Sequence, residues 1–446
     1  MSPPSKTNNT YFPTTMTLDR TQQPPITSFG ALHMPQPCIV QLPNGIELYI
    51  IDKGDQEVCR FDILFQGGRY AATVPAIADI AGPMIRKGIA GMDSDAIAEH
   101  FDFYGGWIQT GTTQHYSVLS LFSLNRNLHK ILPVVTEMIT RPTLPQKAFD
   151  VLQQQRIQQL NINRQKVSFL AAEKLNQLIY GSSHPYARVI SAEDLQQITP
   201  DDIRAYHQRY YLNTSIRIIL SGRITDEVMS LVNEHMGSLP NNSAHLITPP
   251  PIAPEDTHTA IIDKPDSLQS GIRIGKPTIG CKHPDYPLLT MLNLVLGGYF
   301  GSRLMTNIRE EKGYTYGISS HIVSMRQGAY FTIVTEAGTE YTRPLIDEVR
   351  NEIAQLCCTP IPDDELETAR NYLQGRRARA LDSPFSMSDY FVSSLIADTP
   401  FNHFNNEDQI IRNATAQDLL RVAQAHLSPD NLYYAIAGDK SKMGID

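Results

Sequence analysis

The sequence predicts an α+β fold of two homologous domains, each a mostly antiparallel sheet with helices packed on one face, joined by a proline-rich linker. Three observations predict it. Short apolar runs alternate with helical periodicities, the order of these segments recurs in the second half, and an aperiodic stretch separates the halves. At 446 residues, with 41% hydrophobic, 19% charged and 8% aromatic residues, the chain has the composition of an ordinary globular protein long enough for more than one core.

The elements follow in order. Residues 1–30 are Thr- and Pro-rich, with no apolar core of the kind a signal peptide needs, and read as a flexible segment. Cys38 to Leu42 and Ile46 to Ile51 flank Pro43-Asn44-Gly45, which predicts a hairpin, and Arg60 to Gln66 reads as a third strand. Helical spacing covers Pro75 to Lys87 and Ser94 to Phe103, the latter stopped by Gly105-Gly106. Alternating runs at Trp107 to Gly111 and Tyr116 to Leu121 predict strands. Long helices are expected over Leu128 to Thr140 and Gln146 to Tyr180. A helix from Pro200 to Tyr211, a strand from Ser215 to Ser221 and a helix from Asp226 to Met236 complete a first domain over 31–238. Five prolines (Pro240, Pro249, Pro250, Pro251, Pro254) mark an extended linker over 239–257, and 258–446 forms the second domain.

The repeat rests on three anchors. Pro145 faces Pro362 (362 minus 145 is 217), while Thr199 faces Thr415 and Gly222 faces Gly438, both at 216. Each threonine has an aspartate three positions later, Asp202 and Asp418, the pattern of a helix N-cap with an acidic first turn.

Composition and motifs exclude several functions. Lys plus Arg is 38 against 46 Asp plus Glu, a net charge of −8, so no positive field exists to hold nucleic acid. The five cysteines (Cys38, Cys59, Cys281, Cys357, Cys358) lack C-x-x-C spacing, which argues against a disulfide framework or a thiolate zinc site. No window of ~18 apolar residues spans a membrane. No G-x-S-x-G elbow or Gly-Lys-Ser/Thr phosphate loop occurs.

The most specific string runs Leu296-Gly297-Gly298-Tyr299-Phe300-Gly301-Ser302-Arg303-Leu304, then Ile308-Arg309-Glu310-Glu311-Lys312-Gly313-Tyr314-Thr315-Tyr316-Gly317. Its glycines allow close backbone approach and a sharp entry into a helix carrying Arg303 and Arg309, and the Gly313 to Gly317 turn leads into a strand. Taken alone, Arg309 and Tyr316 would be an ion-pairing helix residue and a half-buried strand residue.

This string resembles the C-terminal-half signature of the insulinase or pitrilysin superfamily of zinc peptidases, which includes the mitochondrial processing peptidases. In that family an Arg and a Tyr seven residues later face the zinc site from the other half of the molecule. The Tyr stabilises the developing oxyanion and both hold the substrate backbone. Arg309 and Tyr316 have that spacing. The resemblance therefore implies catalytic contributions from Arg309 and Tyr316, and a substrate-binding set of Gly298, Phe300, Ser302, Arg309 and Tyr316. It extends over nearly the whole chain from about Pro37. His184-Pro185-Tyr186 resembles a family loop and reads equally as a turn histidine before proline.

The family's zinc motif, H-x-x-E-H, should lie in the first helix of the first half, where two imidazoles one turn apart bind the metal and the Glu acts as general base. Here Asp79, Gly82 and Pro83 stand at those three positions. The third ligand should be a Glu in the long helix after Phe149, yet none occurs between Gln146 and Ala172, where Gln153, Gln154, Gln155 and Gln158 stand instead. Ala96-Ile97-Ala98-Glu99-His100 imitates the motif's end but lacks the first imidazole and reads as a solvated helix face.

The expectation is a chain with no metal of its own and no enzymatic activity alone. It would be the non-catalytic, substrate-binding and active-site-complementing subunit of a heterodimeric zinc metalloendopeptidase acting on unfolded peptides, with zinc in the partner subunit. The alternative is a catalytically inert structural or peptide-binding protein that kept the peptidase fold, like the core subunits of a respiratory complex. The expected partners are a zinc-bearing homologous subunit or a second copy, and peptides. No nucleic acid or membrane is expected, and the expected compartment is the cytoplasm.

Overall fold

The computed structural model describes Thr21, residues 30–242 and residues 249–445. Nearly all of the 1–30 segment and the middle of the linker therefore lie outside the described residues.

The chain opens with β1 (Cys38–Gln41), β2 (Glu47–Asp52) and β3 (Val58–Gln66), followed by α1 (Gly68–Ala71) and α2 (Ile77–Met84). The predicted hairpin is present, pairing Cys38 with Ile50 through Gln41 with Glu47. A short ribbon of β4 (Gly88–Ile89) and β5 (Met92–Asp93) leads into α3 (Ser94–Tyr104). Asp93 caps α3 by accepting two backbone N–H groups, and Gly105 ends it in the left-handed conformation. Next come β6 (Trp107–Thr112), β7 (Tyr116–Leu124) and α4 (Leu128–Thr140). The α4 stripe of Leu128, Ile131, Leu132, Val135, Met138 and Ile139 is buried at helical spacing.

The long helix expected over Gln146 to Tyr180 is two helices, α5 (Gln146–Arg164) and α6 (Val167–Tyr180). Lys166 between them is extended (φ −89°, ψ 124°). The break has a tertiary cause, because α6 leaves its own half and packs on the other sheet. Then follow α7 (Ala192–Gln197), α8 (Pro200–His207), β8 (Ile216–Gly222) and α9 (Asp226–His235).

The second half runs β9 (Thr259–Asp263), β10 (Gln269–Thr278), α10 (Tyr286–Asn293), β11 (Thr315–Met325) and β12 (Gly328–Gly338). It continues with α11 (Thr342–Cys358), α12 (Asp363–Ala378), α13 (Pro384–Ala397), α14 (His403–Asn413), α15 (Ala416–His426) and β13 (Tyr433–Gly438).

The two sheets repeat one topology. The first has the order β1-β2-β8-β3-β7-β6 and the second, read from its far edge, β9-β13-β10-β12-β11. In each, the last strand lies parallel to the first strand of the repeat and antiparallel to the second. Thr199 and Thr415 both form complete capping boxes, with Asp202 and Asp418. Gly222 closes its strand at φ +124°, where a Cβ would lie 2.2 Å from the Val58 carbonyl oxygen.

Each sheet packs one face on helices of its own half, forming two separate cores. The other face is covered by a helix of the opposite half. Helix α6 lies on β10 and β13, burying Leu175, Ile179 and Tyr180 against Tyr433 and Ala435, with Val167 and Ala171 against Ala437. Helix α13 lies on β2, β3 and β8, burying Met387, Phe391 and Leu395 against Tyr49, Ile51, Leu64 and Ile219. Val167–Tyr180 and Pro384–Ala397 are related by the same offset of 217 (384 minus 167), so the exchange is reciprocal.

A buried polar knot holds α13. Asp62 accepts from Ser120 Oγ (2.6 Å), Ser388 Oγ (2.7 Å) and Arg60 (3.0 Å), while Arg60 also reaches the Phe385 carbonyl and Asp389. At the equivalent place on the second sheet, Gly271 lets the Val167–Ser168 backbone approach directly.

Candidate functional site

The Arg-Tyr string folds as a wide helical turn, a loop, a second wide turn and a strand. The second turn, Met305–Glu311, carries Arg309 and ends at Gly313 in the left-handed region. Three contacts fix it to the body. Arg303 pairs bidentately with Glu365 of α12 (2.6 and 2.9 Å), Asn307 donates to Glu352 (2.7 Å), and Lys312 donates to Glu348 (3.0 Å), both glutamates on α11. Arg309 is left to face outward.

Tyr316 is placed by a β-bulge. The pairing of β11 with β12 slips between Thr315, opposite Ala337, and Ile318, opposite Thr335, so Tyr316 and Gly317 carry the extra residue. Hydroxyls stitch the bulge: Thr315 donates to the Glu336 carbonyl (2.6 Å) and accepts from Gly317 N–H (3.1 Å), and Thr335 donates to the Gly317 carbonyl (2.9 Å). The bulge turns Tyr316 out to 95% exposure. It also frees the Tyr316 carbonyl, which accepts from Arg309 Nε at 3.1 Å. The Arg309 guanidinium lies 4.8 Å above the exposed Phe300 ring. Phe300, Arg309 and Tyr316 therefore share one surface at the start of an edge strand.

The other residues of the set lie beneath that surface. Ser302 is buried, with its hydroxyl facing no partner, and Gly298 ends the first wide turn against Asn293 and Leu294. Gly317 inside a strand pattern was the signal in the sequence for a bulge; the Thr315–Thr335 stitch had none.

The degenerate motif positions all lie on α2. Asp79 takes both nitrogens of Arg69 (2.7 and 2.8 Å), and its main-chain carbonyl accepts from Arg156 (3.3 Å). Gly82 offers no ligand and Pro83 sits inside the helix. Around Asp79 a cleft of about 310 Å³ is lined by Arg69, Arg156, Gln159, Glu173 and Arg188, among others. Glu173 lies one position past the stretch in which the third ligand was sought. Burial pushes its carboxyl above the ordinary range, with Arg164 opposing. Among the described residues, no three His, Cys, Asp or Glu side chains converge at this cleft. A guanidinium fills the position across from Asp79, and no imidazole is within the lining, so these residues do not fit a catalytic zinc ion.

His184 is a turn residue: its Nδ1 accepts from Tyr186 N–H (3.2 Å), and the ring stacks on Tyr180. Tyr186 is where the halves meet. Its hydroxyl accepts from Gln327 N–H (3.1 Å) at the β11–β12 turn and lies 2.6 Å from His115 Nε2 at the β6–β7 turn. Burial and the nearby Arg326 hold His115 down at about 4. His100 is on α3, with its Nε2 3.0 Å from the Lys130 carbonyl.

Arg69 and Arg188 adjoin Tyr70 and Tyr186 at this junction. Tyr316 stands at the start of β11, eleven residues before Gln327, a span of roughly 36 Å at ~3.3 Å per residue of extended chain. The Arg309–Tyr316 surface and the Tyr186 junction thus lie at opposite ends of β11.

Comparison with known proteins places this geometry. The family profile described as Peptidase M16 inactive domain matches residues 197–373. The zinc protease YmxG of Bacillus subtilis, a protein whose name carries the qualifier "uncharacterized", is 25% identical over 342 residues, 76% of this chain and 82% of its own. The Helicobacter pylori protein named non-peptidase homolog YmxG is 23% identical, over 69% of this chain and 71% of its own. A crystal structure of a peptidase M16 inactive domain from Pseudomonas fluorescens superposes with a TM-score of 0.83 at 23% identity, covering 90% of this chain and 98% of that one. The doubled sheet, the Arg-Tyr string and these likenesses agree: the chain is similar to M16 peptidase homologues of the insulinase/pitrilysin superfamily, and its residues 197–373 match the inactive-domain profile.

Proposed function

We propose that this chain is the non-catalytic, substrate-binding subunit of a heterodimeric zinc metalloendopeptidase acting on unfolded peptides. Arg309 and Tyr316 complete an active site whose zinc is held by a homologous partner. One observation carries the reading: a stitched bulge presents the Tyr316 hydroxyl to solvent with no hydrogen-bond partner among the described residues, while Arg309 fixes the bulge from behind. A tyrosine that served packing would be turned inward. Tyr316 would donate to the oxyanion that develops on the scissile carbonyl, and a preplaced donor of this kind contributes roughly 3 kcal/mol. The open side of β11, an edge strand, would take the peptide as an added strand.

The position of Arg309 and Tyr316 at the end of β11 away from the Tyr186 junction supports a site built between chains rather than within this one. The Asp79 cleft supports the inert half of the reading, because Arg69 occupies the carboxylate that stands first in the motif.

The test is peptide cleavage by a homologue carrying H-x-x-E-H, alone and mixed with this chain, with Arg309→Ala and Tyr316→Phe as variants. Activity is expected only in the mixture, falling at least about tenfold with either substitution, or ~1.4 kcal/mol of transition-state stabilisation. A homologue that cleaves equally well alone, or substitutions without effect, would leave the second reading, a structural or peptide-binding protein. That reading is favoured by the description of the matching profile as an inactive domain and by the Helicobacter pylori relative's name.

A further inference from the structure

One cluster of metal-ligating side chains lies outside both sites described above. His283, Asp285 and His426 each place a ligand atom within 4.8 Å of the other two. His283 stands in the exposed turn before α10, Asp285 at the start of that helix and His426 at the end of α15, so the packing of α10 on α15 assembles the group from positions 143 residues apart in sequence (426 minus 283). No sequence motif announces it.

Its geometry is close to that of a ligand set. His426 Nε2 is 3.3 Å from Asp285 Oδ2, and two ligands of a tetrahedral ion at ~2.05 Å are about 3.4 Å apart. The His283 and His426 rings are 5.5 Å apart, and His283 Nδ1 accepts the Asp285 N–H at 3.1 Å. A bound ion that took Nδ1 would displace this backbone contact. Arg421 of α15 opposes it, holding Asp285 bidentately at 2.7 and 3.0 Å. Each carboxylate oxygen keeps a second lone pair beside such a contact.

We propose that His283, Asp285 and His426 form a site for a divalent transition-metal ion of the zinc class, tuned to weak affinity by the Arg421 cation that shares the carboxylate. Two imidazoles and one carboxylate select zinc or copper over magnesium or calcium, and leave a fourth position for water. The site is independent of α2 and of the proposed role of Arg309 and Tyr316, and it departs from the expectation of a chain that binds no metal.

The test uses the untagged full chain with Cys38→Ser and Cys358→Ser, which remove the exposed thiols. Zinc chloride is titrated in competition with a chromophoric chelator, and cobalt chloride in parallel gives a d–d spectrum. One ion per chain is expected. His283→Gln and His426→Gln should each weaken binding at least about tenfold. Arg421→Gln should tighten it about threefold or more, the effect of removing a unit charge one residue's width away in water. His403→Gln, outside the cluster, should bind as the parent does. Circular dichroism checks that each variant is folded, and the exposed His283 keeps the test available should His426→Gln unfold. No uptake at about 0.1 mM free zinc, or histidine variants that bind as the parent does, would overturn the proposal.

Discussion

Replacing Asp62 by alanine removes the acceptor on which the α13 clasp converges. Asp62 is fully buried, and Arg60 beside it is nearly so. The carboxylate neutralises Arg60 at 2.8 Å and accepts from Ser120 and from Ser388, the only one of the three carried by α13. Its loss strands two hydroxyls and leaves the guanidinium with the Phe385 carbonyl and Asp389, whose side chain is 67% exposed. Breaking a buried pair by deleting one partner costs roughly 3–5 kcal/mol. The surviving contact to Asp389 sets the lower end, about 3 kcal/mol. Urea unfolding followed by circular dichroism reads the change from the midpoint at constant slope. Asp389→Ala is the internal comparison, because an exposed partner is worth no more than ~1 kcal/mol. Equal losses for Asp62→Ala and Asp389→Ala would refute the claim that the buried carboxylate organises the clasp.

Two further outcomes follow from the same junction. Gly271→Ala should destabilise by ~1–3 kcal/mol, since its Cβ would lie 2.5–2.6 Å from backbone atoms of Val167 and Ser168 that cannot move without α6; Gly111→Ala, with open space around its Cβ, should be near neutral in the same melt. His115 is depressed to about 4 by burial and by Arg326, so the unfolded chain binds a proton near pH 6.5 that the folded chain refuses. Stability should be fully present above pH 6.5 and fall as pH drops toward 4, and His115→Gln should flatten that fall in midpoints measured from pH 7.5 to 4.5. An unchanged slope would show that other buried histidines, such as His207, govern it.

What the sequence made legible was local or repeated. The Pro43-Asn44-Gly45 turn, the Gly105 stop and the paired Thr-Asp caps each encode their structure within a few residues, and they fall where periodicity and capping rules put them. The repeat survived because both copies need the same caps and the same closing glycine. The break at Lys166 was not legible, since Gln146 to Tyr180 has helix-forming residues throughout and the chain turns there only because α6 has a sheet to cover in the other half. At the candidate site, the spacing of Arg309 and Tyr316 was readable, but their position at the end of β11 away from the Tyr186 junction was not. That position is set by the length of β11 and by contacts at Tyr186, which join residues far apart in the chain.

The exchange of α6 and α13 also ties the fate of each half to the other. The first half contributes α6, which buries Leu175, Ile179 and Tyr180 on the sheet that bears Arg309 and Tyr316. Without it, one face of β10 and β13 would stand open to water, an apolar surface that a monomeric unit does not tolerate. The second half returns α13 to the first sheet in the same way. Neither half is therefore a self-sufficient domain, and the two cannot be lost separately. Whatever keeps the Arg309–Tyr316 surface folded also keeps the first half, because that half is the scaffold on which α6 is delivered. Asp79 is held by Arg69 without any metal, whereas loss of Gly271 or Asp62 would weaken the contacts by which α6 and α13 join the halves.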